Sequence, residues 1–348
     1  MEQPIVETLS PRLEPAFQVL GARSHHSLAV AFHPTANFLV SAGEDGTIRV
    51  WDWHAGVLQR TLLGHTKAVS GIDFDSGGNL LVSCSSDQTI SIWDIQNDWE
   101  LTKTLLGHEH TVSSVRFMPG DQQIVSCGRD ATVSFWDVAS GDLVRTLRLR
   151  ENDAPSGFDW IRCVQPSVDG QAILIGLNTN VFLKDAQTGE VLVKFVGHLN
   201  VVNAVAFAPL SAYPAIRMLA GQEPIELSEG HGRYMASAAR DHTIILWDCK
   251  TGEKLKTLTG HDNWVRAIAF HPRGQHLLSV SDDYTIRVWD LKSGQCVRVV
   301  EAHTHFVLCM AMAPHSGKLS SVVASGSLDD TVKIWDVSEW SPDIPARM

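Results

Sequence analysis

No stretch of this 348-residue chain approaches the roughly eighteen consecutive apolar side chains that a membrane-spanning helix needs. Its first residues, MEQPIVETLSPRLEP, carry acids and prolines where a secretory signal would place a basic residue and then an apolar run. Runs of Lys and Arg are missing too. With 39 acidic against 28 basic side chains and a formal charge of -11, the chain would repel phosphate backbones and anionic lipid, so neither nucleic acid nor membrane insertion is expected. The six cysteines, Cys84, Cys127, Cys163, Cys249, Cys296 and Cys309, show no C-x-x-C or Cys-x-x-His spacing, and read as free thiols in a reducing compartment. There is no G-x-S-x-G elbow, no G-x-x-x-x-G-K-S/T loop and no dinucleotide fingerprint. The clusters His25-His26, His108-Glu109-His110 and His303-Thr304-His305 lack the H-x-x-x-H spacing of a helix-borne metal site. The expectation is a non-enzyme without cofactor or metal.

What the chain has is a repeat. Trp-Asp pairs stand at Trp51-Asp52, Trp93-Asp94, Trp136-Asp137, Trp247-Asp248, Trp289-Asp290 and Trp335-Asp336, with a degenerate copy at Lys184-Asp185, making seven units spaced 42 to 63 residues apart. Six residues before each Trp lies an aspartate (Asp45, Asp87, Asp130, Asp241, Asp283, Asp329), and ten before it a serine (Ser41, Ser83, Ser126, Ser237, Ser279, Ser325). Upstream come Gly64-His65, Gly107-His108, Gly197-His198 and Gly260-His261, with Ala302-His303 as a variant. Between these markers run short alternating segments such as Ile48-Arg49-Val50-Trp51 and Val332-Lys333-Ile334-Trp335, at the strand period of two, which predicts four short strands per unit.

This pattern resembles the WD-repeat β-propeller and implies an all-β fold of seven blades. The expected organisation is an N-terminal tail over 1–14, a seven-bladed WD-repeat propeller over 15–337 with a polar, Pro-rich insertion at 210–230, and a C-terminal tail over 338–348. In such propellers the His, Ser, Asp and Trp of one blade form a buried hydrogen-bonded chain, and five units here carry all four. Their five histidines are therefore expected to be structural. The aspartates, followed two residues on by Thr as in Asp45-Gly46-Thr47, are turn residues before they are catalytic acids. The first unit has Gly21-Ala22-Arg23-Ser24-His25 in place of Gly-His, and the fourth has Leu174, Asn178 and Lys184 at three of its four positions, so these two blades are expected to be softer. Few residues follow Trp335-Asp336, so the last blade is expected to take its outer strand from 15–21, leaving no open edge at the seam.

Propellers bind partners through loops at one face, and two register positions stand there. The first precedes the turn aspartate: Glu44, Ser86, Arg129, Leu177, Arg240, Asp282 and Leu328. The second lies three after the Gly-His histidine: Ala68, Thr111, Val201, Trp264 and Phe306, with Trp160 as the equivalent in the fourth unit. Arg162 and Arg266 follow two residues after Trp160 and Trp264. Four arginines and three aromatics thus gather on one face of an acidic protein, a combination suited to a partner surface with exposed acids.

Several stretches further resemble the lissencephaly-type nuclear distribution proteins, which regulate cytoplasmic dynein: Gly260-His261-Asp262-Asn263-Trp264-Val265-Arg266, Ala239-Arg240-Asp241-His242-Thr243-Ile244, Cys127-Gly128-Arg129-Asp130, Trp160-Ile161-Arg162 and Ala302-His303-Thr304-His305-Phe306-Val307. The resemblance implies a propeller that holds the dynein motor domain through Arg129, Arg162, Arg240 and Trp264. Trp160, Arg266, Tyr284 and Phe306 share that face, Tyr284 standing where the family has a lysine. It also implies roles in microtubule-based transport, nuclear migration and positioning, mitosis and spindle function, a nuclear distribution coiled-coil adaptor as a further partner, and residence in the cytoplasm at the cytoskeleton, microtubule ends and spindle pole. The family's N-terminal dimerisation motif and coiled coil are not matched, so the chain as given is expected to be a monomer. Two alternatives remain open: a generic adaptor propeller, such as a ubiquitin-ligase substrate receptor, and a regulatory subunit of an acetylhydrolase.

Overall fold

A computed structural model describes residues 18–21, 26–149, 159–222, 231–314, 322–338 and 340. Among these, twenty-eight strands form seven four-stranded antiparallel sheets, as the repeat predicts. In the sixth blade the strands are Val265–Phe270, His276–Ser281, Thr285–Asp290 and Cys296–Glu301, counted from the channel outward. His276–Ser281 is buried at every position because a neighbouring blade covers each face, so its sequence need not alternate. The outermost strand is more exposed. Inner strands pack in the order of blades one to seven, and the seventh packs back on the first, so the ring is closed. At the seam Gln18–Gly21 pairs antiparallel with Thr331–Asp336, from Gln18↔Ile334 to Gly21↔Thr331. The last blade does take its outer strand from the N-terminal segment. Residues 1–17 and 22–25, with the tail and His25 expected there, lie outside the described residues.

The predicted polar chain is complete in five blades. In the sixth, Trp289 Nε1–H donates to Ser279 Oγ at 2.8 Å, Ser279 lies 2.7 Å from His261 Nε2, and His261 Nδ1 lies 2.7 Å from Asp283 Oδ2. Thr285 closes the turn, donating its N–H and hydroxyl to Asp283 Oδ1 at 3.0 and 2.7 Å. The same bonds recur around His65, His108, His198 and His303. Their pattern assigns the imidazole proton to Nδ1. Burial lowers the pKa of His65, His261 and His303, outweighing the attraction of their aspartates. Burial alone would raise the Asp130 carboxyl, but bonds from His108, Thr132 and the Glu109 N–H hold it down at about 2. In three of the four Gly-His pairs the Trp ring lies close against the glycine. A Cβ at Gly64, Gly107 or Gly197 would stand 2.8 to 2.9 Å from the blade's own tryptophan ring.

The fourth blade has all four strands in register without that chain, from Ile161↔Leu177 on its inner strand to Asn180↔Val196 at its rim. Leu174 and Phe195 are fully buried there, and Lys184 Nζ donates to the Gly189 carbonyl at 2.8 Å.

Two stretches pack differently from the expectation. The first half of the insertion is not a polar loop: Leu210–Ala212 forms a 3₁₀ turn and Tyr213–Leu219 a short α-helix. Ala212, Tyr213, Ala215 and Ile216 enter the core between the fifth and sixth blades. Ser211 Oγ donates to the Pro272 carbonyl at 2.8 Å, and Gly274, at φ +74, lies so near the Ser211 backbone that a Cβ would meet it at 2.1 Å. Residues 223–230 lie outside the described residues. At the other end Trp340, placed in the tail by the sequence reading, is buried with its ring 6.3 Å from that of Trp335. Among the described residues no helix is long and apolar enough to cross a membrane.

Candidate protein-binding face

The two register positions singled out in the sequence meet at one end of every blade that carries the turn aspartate. Glu44, Ser86, Arg129, Arg240, Asp282 and Leu328 donate their backbone N–H groups to the carbonyls of His26, Ala68, Thr111, Val201, Trp264 and Phe306, at 2.9 to 3.1 Å. The aspartate after each donor is fixed by its Thr, so the side chain before it is presented from a rigid corner.

A second device lies just below. Each inner strand carries a β-bulge near its start, which leaves one residue out of the ladder: Leu28, Ser70, Ser113, Arg162, Asn203, Arg266 and Leu308. These seven line the mouth of a central channel of about 670 Å³. Bulge and corner together bring the predicted residues into two clasps. In one, Arg162 stacks on Trp160 with Cζ 3.7 Å from the ring centre, Arg129 stands 5.2 Å from the same ring, and Trp160 Nε1–H donates to Ser113 Oγ at 2.5 Å. In the other, Arg240 and Arg266 stand 4.1 and 4.9 Å from the centre of Trp264. Such guanidinium–aromatic pairs contribute about 0.5–2 kcal/mol each and hold the side chains extended.

The four arginines differ in how their charge is met. Arg266 forms a bidentate pair with Asp282, both bonds 2.7 Å, so its charge is matched within the protein. Arg240 Nε makes one long contact, 3.4 Å, to Asn203. Arg162 has no hydrogen bond or ion pair among the described residues, and its Nε is buried and unsatisfied. Burial, followed by the charges of Arg240, Arg266 and Arg129, brings its guanidinium down to about 10. Burial and then Arg266 also lower Arg240.

Tyr284 and Phe306 form a separate aromatic group, stacked at 5.9 Å with His305 beside them. Tyr284 is exposed and held at φ 72, the left-handed turn position that Gly46 occupies in the first blade. Sequence reasoning missed Ser113 and Asn203, which tie neighbouring blades together at this level; Asn203 Nδ2 reaches the Val265 carbonyl at 2.9 Å. Their recurrence as the second residue of an inner strand was the available signal.

The family described as "WD domain, G-beta repeat" matches residues 18–52, 56–94, 99–137, 228–248, 252–290 and 294–336. The chain is 42% identical over 279 residues to a protein of Coccidioides posadasii named nuclear distribution protein PAC1, covering 75% of this chain and 58% of the relative. It is 42% identical over 250 residues to nuclear distribution protein nudF of Aspergillus terreus, covering 71% and 54%. A PAC1 protein of Fusarium vanettenii is 42% identical over 257 residues, covering 70% and 56%. The chain thus spans a little over half the length of these relatives.

Proposed function

The chain belongs to the WD-repeat (G-beta repeat) family and is similar to nuclear distribution proteins, and on that premise we propose that its arginine and tryptophan face binds the motor domain of cytoplasmic dynein. The observation that carries the reading is the double clasp, two tryptophans each gripped by two arginines, which gathers the four residues the resemblance assigns to motor contact, Arg129, Arg162, Arg240 and Trp264. Trp and Arg are the side chains that most often anchor interfaces, and these are already held extended, which lowers the entropy lost on docking. The charges of Arg162 and Arg240, which form no ion pair among the described residues, suit a partner patch of carboxylates, which Arg can grip bidentately. By binding one motor conformation better than another, the propeller would shift the motor between states, since a ligand acts only through differential affinity. Microtubule-based transport, nuclear positioning and spindle function follow from this reading, as does residence at the cytoskeleton.

The test is equilibrium binding to purified dynein motor domain at two salt concentrations. Saturable binding that weakens as salt rises is expected, and R240A/W264A, folded by circular dichroism, should lose at least about a hundredfold in affinity. Unchanged binding by that folded variant would remove the face from the proposal.

A further inference from the structure

On a protein of net charge -11, the channel is lined by Arg116, Arg129, Arg162 and Arg266 and, among the described residues, by no Asp or Glu. Cation accumulation in a narrow concavity is costly unless something offsets it, because low-dielectric walls strengthen like-charge repulsion. The ring of bulge residues shows where the offset is missing. Of its five polar members, Ser70 donates to the Val112 carbonyl, Ser113 accepts from Trp160, Asn203 donates to the Val265 carbonyl and Arg266 pairs with Asp282. Only Arg162 has no such partner among the described residues. Arg116 is accounted for by the carbonyls of Ile72 and Val115 and by the charge of Asp73. Arg129 shares the Trp160 ring with Arg162, so the two guanidinium carbons are no farther apart than the sum of 5.2 and 3.7 Å.

We propose that the channel mouth is a binding site for a small polyvalent phosphate-type anion, held between Arg162 and Arg129 with Arg240 at its edge. The chemistry selects the ligand class. Guanidinium forks match the spacing of phosphate oxygens, and a polyvalent anion can satisfy several forks at once. Arg162 sits below the rim on a bulge, so the ligand is one that enters a recess, and Ser113, Ser114 and Asn203 stand on the same wall as further polar groups. The opposite wall is apolar, with Leu28, Leu308 and Met310, which confines the anion to the side formed by the third to fifth blades.

This inference stands on the channel wall and needs no protein partner, so it holds or fails separately from the motor reading. The test is titration calorimetry of the folded chain with tripolyphosphate, beside flotation with phosphatidylinositol bisphosphate vesicles to distinguish a free phosphate from a lipid headgroup. Saturable one-to-one binding is expected in at least one arm, weakened about tenfold or more in R162A and partly kept in R162K, which retains the charge but not the fork. R148A removes an exposed arginine on the outer strand of the third blade and serves as the control. The proposal is overturned by no saturation in either arm up to about 1 mM, or by equal weakening in R148A and R162A. If R162A does not fold, R129A with R162K carries the same test.

Discussion

The sixth and fourth blades reach the same four-stranded geometry by different means. The sixth buries a polar chain from Trp289 to Asp283, while the fourth buries Leu174 in the place of the serine and turns Lys184, in the place of the tryptophan, to the Gly189 carbonyl. The polar chain is thus not what makes a blade. It ties the loop before the inner strand to the turn that presents the binding face, since Asp283 Oδ2 also accepts the Asp262 N–H at 3.1 Å. The bulge part of the face does not depend on it: Trp160 and Arg162 stand in the fourth blade where Trp264 and Arg266 stand in the sixth, whereas Arg240 comes from an aspartate-anchored turn.

The strongest way to break the comparison is L174S, which restores the family serine to the fourth blade. With no Trp or His to meet it, the hydroxyl is left in an apolar site beside a cavity, and chemical denaturation should show a loss of about 4 kcal/mol. A stabilised L174S would mean that the apolar filling is incidental. D283A is the complementary break in the sixth blade: His261, Thr285 and the Asp262 N–H lose their acceptor, for an expected loss of about 3 kcal/mol. A loss below about 1 kcal/mol would show that the chain adds little there.

Acidification sharpens the contrast without mutation. The folded pKa of His65, His261 and His303 lies below 6.5, so as pH falls through 6.5 the unfolded chain takes up protons that the folded chain does not, and stability declines toward the folded values. The depressed carboxyls of Asp130, Asp241, Asp283 and Asp329 remove a second portion as pH falls below 3.8. Amide exchange at pH 5.5 and 7.5, corrected for intrinsic rates, should lose more protection in the second, sixth and seventh blades than in the fourth. Equal losses would contradict the assignment. The smallest effect is expected from Y284G, which relieves a left-handed backbone at an exposed side chain and should raise stability by about 0.5–1 kcal/mol, read as a small rise in melting temperature.

Much of this architecture is legible in the residues. Trp, Asp and Ser at fixed offsets, with a His upstream in five units, announce both the repeat and the polar chain, because each has one place in a repeating hydrogen-bond scheme. Tyr213–Leu219 reads as part of a Pro-rich insertion, since seven residues, about two turns, hold too little periodicity to reveal a buried helix. The arginines and tryptophans of the face are visible from register alone. Their charge state is not: Asp282 and Arg266 stand sixteen residues apart, and only the folded sheet shows one neutralising the other while Arg162 stays unmatched. The bulges that turn seven side chains into the channel have no compositional mark, being properties of hydrogen-bond register.

The strand that closes the ring also decides how the molecule bears force. Gln18–Gly21 is held to Thr331–Asp336 by four register pairs, so tension applied through residue 17 enters at the outer edge of the seventh blade. Under load this strand would peel before any blade opens, yielding at a low threshold while the channel mouth keeps its shape.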